Sequence, residues 1–289
     1  TLRRQFDSVP RQFCSSALFF PGMTLPAIRA LEVFPVHTEN KELYGVRDPE
    51  GFVEDMILLS PAALFIASRL DGKKGIPEIQ KAFTAEANTE PPTEEEIRKL
   101  VKILDGRGYL LTETFTKLRD GVISKFHTQT DRPPYLAEKS YPKGREELAE
   151  FLNEQFLREG GPGRLPEGLK KTSYRTSLLI APHIDYKRGG HSYAHGYLKL
   201  AEMEKPDLAI IFGVAHVGPP SPKWDPYQDE IVHRTEHSVE LQAVMLAHIF
   251  GTNLPIVPIL CGSFGSNPRK HPNEKKEIRD FLSAIQGLL

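Results

Sequence analysis

The chain has 289 residues, 39% hydrophobic and 26% charged, with a formal net charge of −1. This excludes a disordered or collagen-like chain, and at roughly 100–200 residues per domain it predicts two domains with separate cores. Two cysteines, Cys14 and Cys261, cannot build a disulfide framework, which points to a reducing, cytoplasmic setting.

Apolar runs such as Leu178–Ala181 and Leu208–Val214 fall far short of the roughly 18 residues of a membrane span. The patch Ala17–Phe20 after Arg3, Arg4 and Arg11 is too short for the roughly 7–15-residue core of an export signal. Neither membrane insertion nor export is expected. Near-neutral charge gives no footprint for nucleic acid.

The first predicted element is a strand over Ala30–Val36, with a second around Met56–Leu58. Ser60-Pro61 caps a helix with its apolar stripe at Ala63, Leu64, Ala67 and Leu70, stopped by Asp71-Gly72. Ile76–Ala85 predicts a second helix. Thr93-Glu94-Glu95-Glu96 is a capping box that opens a third, with Ile97, Leu100, Val101 and Leu104 on one face. Gly106-Arg107-Gly108 breaks it before a terminal strand, Tyr109–Leu111. Strands, three helices and a strand describe a small α+β winged-helix-like domain over residues 27–118. Between Arg47 and Arg107 nine Lys/Arg face twelve Asp/Glu, an acidic balance that disfavours a DNA groove. A strand edge on such a domain can instead accept an extended peptide.

Residues 119–134, ending Asp131-Arg132-Pro133-Pro134, read as a polar linker to an α/β domain over 135–289. There a helix is predicted at Arg145–Leu157, a loop at Gly160–Gly163, strands at Ser177–Ala181, Leu208–Val214 and Pro255–Leu260, and helices at Ser192–Met203 and Ser238–Phe250. Continuous apolar strands alternating with amphipathic helices predict a parallel sheet covered on both faces.

In such sheets ligands bind outside the carboxyl ends of the strands. His183 follows the first of these strands and His216 the second, so the two can converge on a divalent metal, with iron, zinc or copper suited to imidazole. The alternative is that each histidine only hydrogen-bonds the next loop. After the proline-rich loop Gly218–Pro226, Glu236, His237 and Glu240 are candidates for an acidic ligand, a general base or substrate contacts. Capping around Thr235 and Ser238 explains the glutamates equally well. Asp185, Tyr186 and Arg188 are candidate substrate contacts, and Lys187-Arg188-Gly189-Gly190 at a helix start suits an anionic group. Cys261 at a strand end reads as a soft ligand or as a buried thiol. His191 and His195, four apart on one helix, read as packing and hydrogen-bonding residues.

The motifs Ala181-Pro182-His183-Ile184-Asp185-Tyr186, Gly189-Gly190, Tyr193-Ala194, Gly213-Val214-Ala215-His216, Glu236-His237-Ser238-Val239-Glu240 and Val257-Pro258-Ile259-Leu260-Cys261-Gly262, in this order and preceded by Ser140-Tyr141-Pro142, resemble the Memo family. Arg47-Asp48-Pro49 and Leu59-Ser60-Pro61-Ala62-Ala63-Leu64 resemble the extra domain of microbial members grouped as AmmeMemoRadiSam system protein B. More loosely, that segment is similar to PqqD-like winged helices that hand peptides to radical SAM enzymes. The resemblance implies a radical SAM protein, an AMMECR1-like protein and a peptide as partners. Memo proteins in turn resemble class III extradiol dioxygenases, which open catechol rings at non-haem iron(II). That likeness makes His183 and His216 the metal ligands, with iron(II) first among the metals. It puts His237, Glu236 and Glu240 in the pocket, where a histidine moves protons. The chain ends soon after Cys261, before the region where a Memo domain has further strands and another ligand motif. The resemblance therefore implies a partial chain and a third ligand beyond it.

Overall fold

The computed structural model describes residues 24–38, 41–87, 89–167, 172, 178–216, 230–262, 271 and 274–287, and the chain divides into two compact units, Thr1–Arg132 and Pro133–Leu289. Cys14, Ser177 and the loop Gly218–Pro226 lie outside the described residues.

In the first unit, β1 (Glu32–Thr38) and β2 (Lys41–Arg47) form an antiparallel hairpin, and β3 (Ile57–Leu59) joins the other side of β2 with Leu59 opposite Tyr44. The strand β2 was not anticipated: Lys41-Glu42-Leu43-Tyr44-Gly45 alternates only weakly, and its partner supplies the pairing. Helices α1 (Pro61–Ser68), α2 (Ile76–Ala87), α3 (Glu94–Gly106) and α4 (Glu113–His127) follow. Ser60 Oγ accepts the Ala63 N–H at 3.2 Å, and Thr93 and Glu96 complete the capping box. The expected terminal strand is reduced to one antiparallel bridge, Leu110 to Ile28, flanked by Arg29 N–H to Tyr109 O at 3.0 Å. Residues 119–127, expected as linker, are instead the second half of α4. The polar residues there occupy helix faces that remain in water, so composition alone looks like a loop.

Leu25, Val46, Ile66, Ile79, Ile97, Leu104 and Tyr109 form this unit's core. Beneath it Arg29 is buried against Asp48 at 2.9 Å, with its guanidinium 3.7 Å from the Phe115 ring centroid. Asp48 also accepts the N–H groups of Glu50, Phe52 and Val53, at 3.0, 2.9 and 3.0 Å. The charge is therefore fully engaged, which is the condition for burying it.

The second unit contains α5 (Arg145–Leu157), α6 (Tyr186–Ala201), β4 (Ala209–Val214), a 3-10 turn (Ile231–Arg234), α7 (His237–Phe250), β5 (Ile256–Cys261) and α8 (Lys276–Gln286). β4 and β5 pair in parallel from Ala209 opposite Ile256 to Val214 opposite Cys261, with α7 as the crossover between them. Its core is built on Phe156, Tyr186, Tyr193, Tyr197, Ile211, Leu241 and Met245.

Two expectations are corrected here. Leu178–Ala181 is not a strand, and Leu178 and Ile180 are 76% and 90% exposed. An apolar run becomes a strand only when a neighbour takes its backbone groups, and among the described residues none does. Among the described residues the sheet is also not covered on both faces: α7 packs on it, while Phe212 and Val214 of β4 are exposed.

Candidate metal centre

The site is assembled at the carboxyl end of β4. Gly213 permits it: a Cβ there would lie 2.6 Å from both Ser238 Oγ and Val239 Cγ2, so only glycine lets the start of α7 press against the strand. Ser238 Oγ then accepts the Val214 N–H at 2.8 Å. This contact sets Glu236 and His237 beside His216, two residues past the strand.

Glu236 is the N-cap of α7, its carboxylate accepting the Ser238 N–H at 2.9 Å. The residues weighed for that duty from sequence, Thr235 and Ser238, flank it. The same carboxylate receives the His216 backbone N–H at 3.1 Å and lies 3.0 and 3.1 Å from His216 Nδ1. Burial pushes the Glu236 pKa up, but the hydrogen bonds from Ser238 and His216 outweigh it and hold the group below the usual glutamate value. An ionised carboxylate only accepts, so His216 Nδ1 is the donor in this pair and Nε2 is the ring nitrogen left out of it.

Three imidazoles meet here. The His216 and His237 rings stack with centroids 4.4 Å apart, and His183 lies 5.3 Å from the first and 5.7 Å from the second. One ring nitrogen from each falls within 4.8 Å of the other two. Burial lowers the His237 pKa, with Glu236 opposing and the neighbouring histidines reinforcing the shift. A neutral imidazole, the form that can bind a metal, is thereby favoured. His183 and His216 thus converge as expected. His237, expected as a base, arrives as a third possible donor; its position at the first turn of a helix facing a strand end is the signal that could have identified it.

The other sequence candidates do other work. Glu240 accepts the N–H groups of Tyr135 and Leu136 at 3.0 and 2.7 Å and the Tyr141 hydroxyl, pinning the segment that opens this unit. Tyr186 is fully buried, its hydroxyl donating to Leu241 O. Asp185 caps α6 by accepting the Arg188 N–H at 3.1 Å and also pairs with the Arg188 guanidinium. Slight burial opposes ionisation of Asp185, but Arg188 outweighs it and holds the carboxyl below its ordinary value. α6 begins at Tyr186, six residues before the expected Ser192, because that cap and Tyr186 packing start it there. His195 Nε2 lies 3.0 Å from Gly160 O, and neither His195, His191 nor Cys261 belongs to the histidine group among the described residues.

Residues 132–224 match the family model described as Memo-like protein. A MEMO1 family protein of Aquifex aeolicus is 22% identical over 293 residues, covering 91% of this chain, hence parts of both units, and 71% of the relative. One from Thermotoga neapolitana is 32% identical over 188 residues, 55% of this chain and 67% of the relative, and one from Methanobrevibacter smithii is 28% identical over 163 residues, 46% and 57% respectively. No solved structure matches. The family-model match and the likeness to the Thermotoga relative across two thirds of its length lead to one conclusion: this chain belongs to the Memo family.

Proposed function

We propose that His183, His216 and His237 hold a divalent transition metal, iron(II) first, with copper or zinc as the other metals suited to imidazole. The observation that carries this reading is that the three ring nitrogens, delivered by three separate segments, lie within 4.8 Å of one another. Metal–imidazole bonds of about 2.0–2.1 Å require the nitrogens to draw in by roughly 1 Å, which half-exposed rings on loop and helix ends can do. Glu236 supports the set: bound to His216 Nδ1 and to two backbone N–H groups, it orients a ligand, as outer carboxylates do in metal sites.

The activity proposed for the centre is that of a dioxygenase-like oxidoreductase. Iron(II), when bound, supplies a Lewis acid at which a diol substrate and dioxygen can be held together. The chain's own part is to favour a neutral imidazole at His237, orient His216 through Glu236 and leave His183 and His216 exposed. A reducing cytoplasm suits both iron(II) and the free thiol of Cys261. Metal analysis of protein purified without oxygen tests the reading. About one equivalent is expected in wild type, falling at least tenfold in His183→Ala, His216→Ala and His237→Ala. Metal-free wild type would overturn it. Oxygen uptake with a catechol, lost in the same variants, tests the reaction.

A second reading concerns the first unit, taken as winged-helix-like. β3 is an edge strand in the order β1-β2-β3, and beside it lies a groove of about 580 Å³ lined by Met56, Leu58, Ala63, Leu100, Ile103 and Arg107. Met56, Leu58 and Ile103 are exposed there. Among the described residues β3 leaves its outer edge unpaired next to this apolar groove, which suits an extended peptide added as a further strand. We infer an adaptor role in which this groove recruits a peptide, with a radical SAM protein and an AMMECR1-like protein as partners. Full-length protein bearing Leu58→Asp and Ile103→Asp should retain less of these partners in a pull-down than wild type. Equal retention, or none by wild type, counts against it.

A further inference from the structure

His216 is held through its ring by Glu236, whereas the His183 ring makes no hydrogen bond among the described residues; its known neighbours are the two other imidazoles. Its placement therefore has to come from its backbone. The peptide carbonyls on either side of His183 are both taken by buried side chains from the two helices of the core. Gln242 Nε2, on α7, donates to Pro182 O at 2.9 Å, and the Tyr193 hydroxyl, on α6, donates to Ile184 O at 3.1 Å. The Gln242 amide is itself fixed, because its Oε1 accepts the Tyr197 hydroxyl at 2.7 Å. Pro182 O can only accept, so this pairing determines which way the amide points. Tyr193, Tyr197 and Gln242 are all buried, so their bonds meet little competition from water.

We propose that Gln242 and Tyr193 are positioning residues that bracket His183 and hold its imidazole at the metal centre, with Tyr197 fixing Gln242. The inference rests on the three-histidine reading and extends it. A loop left free would lose backbone conformations on binding a metal, and that ordering would weaken affinity. With the carbonyls before and after His183 anchored, the cost falls on folding instead. The bracket also links the His183 loop to α7, the helix that carries His237 and whose cap is Glu236.

Two measurements test this on the intact chain. The first is titration with Co(II), followed by its visible absorption. The second is the spectrum of histidine ring resonances in metal-free, ¹⁵N-histidine-labelled protein, with His183 identified through His183→Gln. In Tyr193→Phe with Gln242→Met, which removes both donors at nearly constant volume, the Co(II) dissociation constant should rise about tenfold. The His183 resonances should move toward those of an unstructured histidine while those of His216 stay in place. An unchanged dissociation constant overturns the bracket, as does an unmoved His183, or a His216 that moves as far as His183 and so reports general loosening. If wild type takes up no Co(II), the metal reading fails, and the metal-free resonances alone decide the bracket. Tyr193→Phe by itself deletes one oxygen and serves if the double variant does not fold: the same changes, smaller, are expected, and their absence is decisive.

Discussion

Individual residues with similar sequence credentials divide sharply once their hydrogen-bond partners are known. Glu236 and Glu240 lie four apart in one motif, yet the first touches His216 and the second anchors the segment Tyr135–Tyr141. Glu240→Ala leaves two backbone donors and a hydroxyl without their acceptor, so unfolding in urea should show a loss of about 3 kcal/mol, while the folded variant binds metal as wild type does. Loss of metal with unchanged stability would instead return Glu240 to the site. His248 offers a pH test. Burial lowers its pKa, with Glu167 opposing, and its Nε2 lies 3.0 Å from Asn153 Oδ1. The unfolded chain therefore binds a proton more readily. Its contribution to stability is complete above about pH 6.5, the unfolded value, and declines as pH falls toward the lower folded value. Between pH 7.5 and 5.5 the urea midpoint of wild type should drop more than that of His248→Gln.

Elements were legible where the physics was local. Thr93-Glu94-Glu95-Glu96 opens α3 as its capping box requires, and Ser60 with Pro61 opens α1. Since α1 is only eight residues long, it depends on that cap as well as on Ile66 and Ala67 in the core. Ser60→Ala should lower stability by about 1 kcal/mol, read from denaturant unfolding. Where pairing decides, local pattern failed in both directions. Lys41–Arg47 becomes β2 because β1 and β3 flank it, and Leu178–Ala181, more apolar than β2, stays out of the described sheet. α4 was missed for a related reason: its stripe around Phe115 is thin, and packing on α3 rather than composition makes it a helix.

Over the whole molecule, each unit has a separate hydrophobic core, as length alone suggested. The first unit's core rests on the buried Arg29–Asp48 pair, so Arg29→Met strands a buried carboxylate and should destabilise by about 3 kcal/mol despite the three N–H groups that remain on Asp48. Because the histidine cluster belongs to the second unit, metal affinity of the folded variant, measured by titration, should not change. A parallel fall in affinity would mean the two units are energetically coupled.

The amino-acid sequence by itself determined the α/β character of the second unit, the strand end that carries His216, and the motifs that resemble the Memo family, because caps, apolar runs and strand-end positions are encoded within a few residues. Tertiary structure decided which groups meet. Gly213 lets α7 close on β4, which brings His237 from twenty-one residues away to stack on His216, and only that closure separates Glu236, which touches His216, from Glu240, which holds the backbone of Tyr135. The carbonyls gripped around His183 were equally invisible, since Tyr193 stood only as part of a motif and no local pattern singles out Gln242 until two helices bring them to one loop.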